Sequence, residues 1–162
     1  MKYLIFILKD EEFAIEVSRV VEILRPQKVF EMPELPDFLQ GVINVRGIII
    51  PVVDMRKRLG LPIPQKSMIV VINFGHDRLG LIVDDVKEII EIEEKEISQS
   101  PELLKNFRTG YLKAFAKKAD RVIMILNLET LLSPQEVSSL KEIPKNIERE
   151  IQTSNNERSP SD

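Results

Sequence analysis

Gly41-Val42-Ile43-Asn44-Val45-Arg46-Gly47-Ile48-Ile49-Ile50-Pro51-Val52-Val53-Asp54-Met55-Arg56 sets two apolar runs on either side of a polar pair. Valine and isoleucine at this density suit β-strands. Gly47 lets the backbone turn between the runs, and Arg46 just before it should project from the turn. A guanidinium in that position can fork onto a partner's carboxylates or carbonyls. Asp54 ends the second run and opens a short helical pattern through Leu59, where its side-chain oxygen can accept an unpaired first-turn amide. Upstream, Tyr3 to Leu8 is an apolar run ending in Lys9-Asp10-Glu11-Glu12. Phe13 to Val17 then alternates, which is a hairpin signature. With Val20 to Leu24 continuing the apolar character up to Pro26, the first half reads as mostly strand.

The second half repeats this order. A shift of 66 sets Tyr3 to Leu8 on Ile69 to Phe74 (3 + 66 = 69) and Phe13 to Leu24 on Leu79 to Ile90. Apolar positions other than Val21 keep their character, Glu22 falls on Glu88, and the small residues Ala14 and Gly80 coincide. After a few inserted residues the shift becomes 73, so that Asp54 falls on Asn127 (54 + 73 = 127), a second candidate N-cap. Two copies of one β-rich unit follow: copy one over about residues 1–60, a Gly/Pro connector at 61–66, and copy two over about 67–132. Units of this size are marginal alone, so they are expected to pack together and share apolar surface. Whether strands exchange between the copies, carrying a barrel across the 61–66 boundary, stays open. Ser133-Pro134-Gln135-Glu136 is a capping box with proline at the first helical position, predicting a helix over about 134–143. Ser100 to Leu104 suggests a helical turn, and the polar 144–162 segment is expected to be disordered.

Function classes are narrowed by what the chain contains. There are no cysteines and one histidine, His76, at an expected hairpin tip, so thiolate chemistry and multi-histidine metal sites are excluded. The six glycines form no phosphate-binding spacing. Asp84-Asp85 would point to opposite faces of a strand and are read as structural rather than catalytic. Glu91 to Glu96 lacks the spacing and glycine bend of a calcium loop. A net charge of −3, mixed along the chain, gives no field for nucleic acid. The longest apolar runs are too short to span a bilayer, and a cytoplasmic protein is expected. A non-catalytic protein-binding module, with no cofactor, is the reading these features favour, with a small-molecule-binding enzyme as the alternative from another class.

The 41–56 run, together with Phe13-Ala14-Ile15-Glu16-Val17 and Val20-Val21-Glu22-Ile23, resembles the CheW family of chemotaxis coupling proteins, through the pattern G-V-x-N-[LV]-R-G-x-x-[IL]-P-V-x-[DN]. Gly80 to Val86 is similar more weakly. The departures Val45 and Met55, where leucine is commoner, keep apolar character. The resemblance implies a mainly β fold over 1–143: two packed SH3-like five-stranded β-barrel subdomains from an internal duplication, with short helices and a C-terminal helix. It also implies an adaptor that binds the cytoplasmic tip of chemoreceptors (methyl-accepting chemotaxis proteins) and the regulatory domain of the histidine kinase CheA, recruited to receptor arrays at the inner face of the membrane. The same interfaces could serve another output, such as pilus motility or second-messenger signalling. Carried onto this sequence, the receptor-facing groove between the barrels involves Val17, Val20 and Val86, with Arg46 as the polar contact beside it; from their proximity in the motif, and not from the resemblance, Glu22 and Asn44 are expected to help orient Arg46. The three valines also fit an ordinary core.

Overall fold

A computed structural model of the chain describes residues 1–31, 33–98 and 110–142. The strands in chain order are β1 (Lys2–Leu8), β2 (Glu11–Glu16), β3 (Val20–Leu24), β4 (Gly41–Val45), β5 (Ile48–Asp54), β6 (Met68–Phe74), β7 (Asp77–Val83), β8 (Asp85–Glu91), β9 (Ile97–Ser98), β10 (Leu112–Lys118) and β11 (Arg121–Leu126). Helix α1 is Met55–Arg58, and α2 covers 134–142. The predicted capping box holds α2: Ser133 N–H donates to Glu136 Oε1 at 2.8 Å and Glu136 N–H donates to Ser133 Oγ at 3.1 Å. Asp54 and Asn127 are both caps, each accepting the amide two residues on, at 2.9 and 3.0 Å. The turn expected at Ser100 to Leu104 and the 144–162 segment lie outside the described residues.

Two sheets form, in the orders β8-β1-β2-β11-β10-β9 and β3-β6-β7-β5-β4. Under the sequence repeat β1, β2, β3, β4 and β5 correspond to β6, β7, β8, β10 and β11, and this substitution turns the first five strands of one sheet into the other. The sheets are therefore pseudo-symmetric, and each crosses the 61–66 connector. One sheet, barrel A, takes the first hairpin of copy one and the later strands of copy two; barrel B takes the reverse. Parallel pairing makes the exchange in both, β2 with β11 and β7 with β5. The chain leaving β3 returns to the far edge of barrel B, where Phe30 and Val42 exchange backbone hydrogen bonds of 2.8 and 3.0 Å. The two-residue β9 does the same on β10 in barrel A, which is why that sheet counts six strands. Gly41 is required at the closure of barrel B: a Cβ there would lie 2.4 Å from the carbonyl oxygen of Phe30.

Three apolar clusters follow from strand alternation. Tyr3, Ile5, Ala14, Ile123 and Ile125 fill barrel A, and Ile43, Ile50, Val52, Ile69 and Val71 fill barrel B. The opposite faces of both hairpins, Leu4, Phe6, Phe13 and Ile15 against Val70, Ile72, Leu79 and Leu81, meet in a core between the barrels. Strands buried on both faces read as unbroken apolar runs, and this accounts for the sequence of β1 and β6. The Phe6 and Phe13 rings stack within this core, with centroids 5.9 Å apart. Leu131, Leu132 and Leu140 join it, so α2 docks across the junction. At about 1.5–3 kcal/mol for each fully buried large side chain, the shared core ties the barrels into one cooperative body.

Candidate partner-binding face

The turn between β4 and β5 is built as its sequence dictates. Asn44 Oδ1 accepts the Gly47 amide at 2.8 Å, and Arg46 and Gly47 take φ of 52° and 87°. A non-glycine residue in this region is uncommon and worth a functional question. Its counterpart in copy two, Ala119 (46 + 73 = 119), has φ 55°, so the backbone shape belongs to the repeat and the arginine to copy one alone. The Arg46 side chain is 69% exposed and ion-paired with Glu22 at 2.7 Å. Glu22 lies on β3 and Arg46 beside β4, the two edges of barrel B, so the pair spans the barrel closure. Asn44 acts on Arg46 through the turn rather than on its guanidinium.

Val17, Val20 and Val86 are half-buried, each packed against the core between the barrels. Val17 opens a 3₁₀ turn, Val17–Arg19, that carries the chain from barrel A to barrel B. Val20 pairs with Ile72 and Val86 with Phe6. These pairs are equivalent under the repeat (20 + 66 = 86; 6 + 66 = 72). The outward continuation of the seam is apolar as well, with Ile23 and Ile89, another equivalent pair, 40% and 55% exposed.

Two arginine networks were missed by the sequence reading. Arg56, only 3% exposed, places Nε 2.6 Å and Nη2 3.1 Å from the two Asp54 carboxylate oxygens, and Nη1 3.0 Å from Asp84 Oδ1 and 3.2 Å from the Lys66 carbonyl. Burial opposes its charge, yet the hydrogen bonds it donates to Asp54 and then to Asp84 hold its pKa above the usual arginine value. Asp84 also accepts the Lys9 amide at 2.9 Å. It sits where the chain crosses from β7 of barrel B to β8 of barrel A, so the cluster joins the barrels. Asp85 pairs instead with Lys66 at 2.8 Å. The second network centres on Arg58, which forks onto Glu136, reaches the Leu131 carbonyl at 3.1 Å and lies over the Tyr111 ring. The hydrogen bond to Glu136 raises its pKa, and the contact anchors α2 to α1. The only signal in the sequence was Arg56 standing two residues after a capping aspartate, close enough to fold back on it.

Among the described residues no group of three or more His, Cys, Asp or Glu side chains could hold a metal ion, and no helix is long and apolar enough to cross a membrane. The CheW-like domain family matches residues 2–136, which is nearly every residue described above. The chain belongs to the CheW-like domain family. It is 31% identical to the chemotaxis protein CheW of Klebsiella aerogenes over 147 residues, covering 89% of each chain. It is also 31% identical to the chemotaxis protein CheW of Bacillus subtilis, over 85% of this chain and 90% of that one. Among solved structures it is similar to the scaffolding protein TtCheW from Thermoanaerobacter tengcongensis, with TM-score 0.75 and 34% identity, covering 83% of this chain and 95% of that one. The CheW-like fold thus accounts for the paired sheets and for the 41–56 motif together.

Proposed function

We propose that this CheW-like chain is a non-catalytic chemotaxis adaptor, holding a chemoreceptor's cytoplasmic tip against the regulatory domain of the histidine kinase CheA in arrays at the inner face of the membrane. The observation that carries the site assignment is Arg46, exposed on a left-handed turn and held in one direction by Glu22. An exposed arginine aimed by a partner carboxylate is preorganised to recognise acidic or carbonyl groups. The half-buried Val17, Val20 and Val86, each packed on the core between the barrels, offer apolar surface of the kind that accepts a helix. Coupling then arises from geometry: two surfaces of one rigid body are occupied at once. Arg46→Ala should leave unfolding within about 1 kcal/mol of the parent, as for an exposed ion pair, while reducing the kinase captured on a receptor fragment. Unchanged capture would remove Arg46 from the site. Val86→Asp should weaken receptor binding in a folded protein, and loss of folding would instead make Val86 a core residue.

A further inference from the structure

The two places where the chain crosses between barrels are held by ion pairs of opposite sense. At the β7–β8 crossing Asp84 takes Arg56, and the Asp84 amide donates to the Ile7 carbonyl at 3.1 Å. Under the repeat Ile7 corresponds to Asn73 (7 + 66 = 73), Asp85 to Arg19 (19 + 66 = 85) and Arg56 to Glu129 (56 + 73 = 129). At the β2–β3 crossing Arg19 itself donates to the Asn73 carbonyl through Nε at 3.2 Å and Nη2 at 3.0 Å, and pairs with Glu129 at 2.8 Å. The first crossing is therefore fixed by a buried arginine that arrives from α1. The second is fixed by an arginine within the crossing turn, whose partner Glu129 has a side chain 78% exposed.

Arg19 touches both barrels, since Asn73 lies one residue before the end of β6 of barrel B and Glu129 follows β11 of barrel A. It also closes the 3₁₀ turn that carries Val17 and directly precedes Val20. That turn has no side-chain hydrogen bond at its N-terminal end and contains no fully buried residue; within it Val17 packs half-buried on the core between the barrels. Arg19 and Glu129 together line two adjoining cavities, one bordered by Glu16, Lys113 and Asn127 and the other by Phe74, Val137 and Leu140. Of the turn's residues Arg19 is the one that lines both openings.

We infer that Arg19 is a positioning residue: it spans the barrels through Asn73 and Glu129 and so fixes the turn that presents Val17 and Val20, without itself being the partner's contact. The assignment of the presented valines to a receptor groove rests on the function proposed above; the pinning of the turn does not. Exposed pairs are screened by salt more strongly than buried ones, so the Arg19–Glu129 pair should weaken with ionic strength more than the Arg56–Asp84 pair does.

The test uses the full chain. Amide hydrogen exchange is followed at Val20, whose N–H donates to the Val17 carbonyl within the turn, and at the core strand positions Val70 and Leu81 as references. Arg19→Ala should speed exchange at Val20 at least tenfold and leave the references within twofold. Glu129→Ala should have a smaller effect, because the two bonds to the Asn73 carbonyl persist. The charge-swapped R19E/E129R chain should remain fast, because a glutamate cannot donate to that carbonyl. Unchanged exchange at Val20 in Arg19→Ala, or equal acceleration at Val20 and the references, would overturn the inference. Binding of a receptor cytoplasmic fragment by the same variant is the second reading. A several-fold loss joins the pinned turn to the groove. Faster exchange with unaltered binding upholds the pinning and removes the groove assignment.

Discussion

Arg56 shows what a single buried charge does in this fold. Its guanidinium bridges two carboxylates and hydrogen-bonds to both, so the cluster persists in a poorly solvated site. Removing the cation alone leaves Asp54 and Asp84 facing each other in a poorly solvated site. Arg56→Met is expected to lower stability by about 3–5 kcal/mol, the usual cost of breaking a buried pair, measured by urea unfolding. Adding D54N and D84N should recover a large part of that loss; no recovery would mean that Arg56 acts by packing alone. The capping roles of Asp54 and Asn127 were legible from the sequence because a cap bonds an amide two residues away. The Asp84 partner of Arg56 lies 28 residues along the chain, and nothing local in either residue points to the other. Arg46 was legible for the opposite reason: a turn residue flanked by strands has nowhere to go but outward.

At the scale of strands, the coincidence of Ala14 with Gly80 has a steric cause. Both stand where the exchanged strand crosses in parallel, Ala14 opposite Ile125 and Gly80 opposite Val52. A Cβ on Gly80 would come 2.6 Å from Val52 Cγ1 and 3.3 Å from Ile69 Cγ2. Gly80→Ala should therefore cost about 1–3 kcal/mol by overpacking, and Val52→Ala in the same chain should relieve part of it; additive losses in a double-mutant cycle would place the strain elsewhere. Barrel A has its own charged seam: Arg121 forks onto Glu12 at 3.0 and 2.7 Å and also meets Glu88, while Lys87 reaches Glu12. The hydrogen bond from Arg121, with help from Lys87, holds the Glu12 carboxyl below its ordinary value of 4.5. A carboxylate depressed on folding contributes stability that is full above its unfolded pKa and fades as the pH falls from there through the lower, folded value. Stability should decline as the pH drops below about 4.5, and Glu12→Gln should flatten that decline in unfolding midpoints measured from pH 6 to 3. The strands were readable from apolar alternation, but their partners were not, because each hairpin pairs with the other copy.

Across the whole molecule, reciprocal exchange makes the sequence repeat and the folded unit different things. A cut in the 61–66 connector yields two pieces, neither holding a complete barrel, since β1 and β2 need β8 and β11 while β6 and β7 need β3 and β5. Each piece alone is expected to lack the native circular dichroism signal, and mixing the two should restore it; an independently folded piece would contradict the topology. The core between the barrels exists only when both are present, which is why the seam is a feature of the duplicated chain and not of either copy. Duplication is visible in the sequence, whereas exchange depends on contacts at long range that spacing does not encode. One rigid body with an arginine and an apolar seam on its surface is suited to hold two proteins at a fixed separation. Size-exclusion chromatography of this chain with a receptor cytoplasmic fragment and a kinase regulatory domain puts that to the test. The account predicts a ternary peak with the parent chain and loss of the receptor from it with Arg46→Ala. Receptor and kinase fragments that compete for the chain, or a ternary peak indifferent to Arg46, would contradict it.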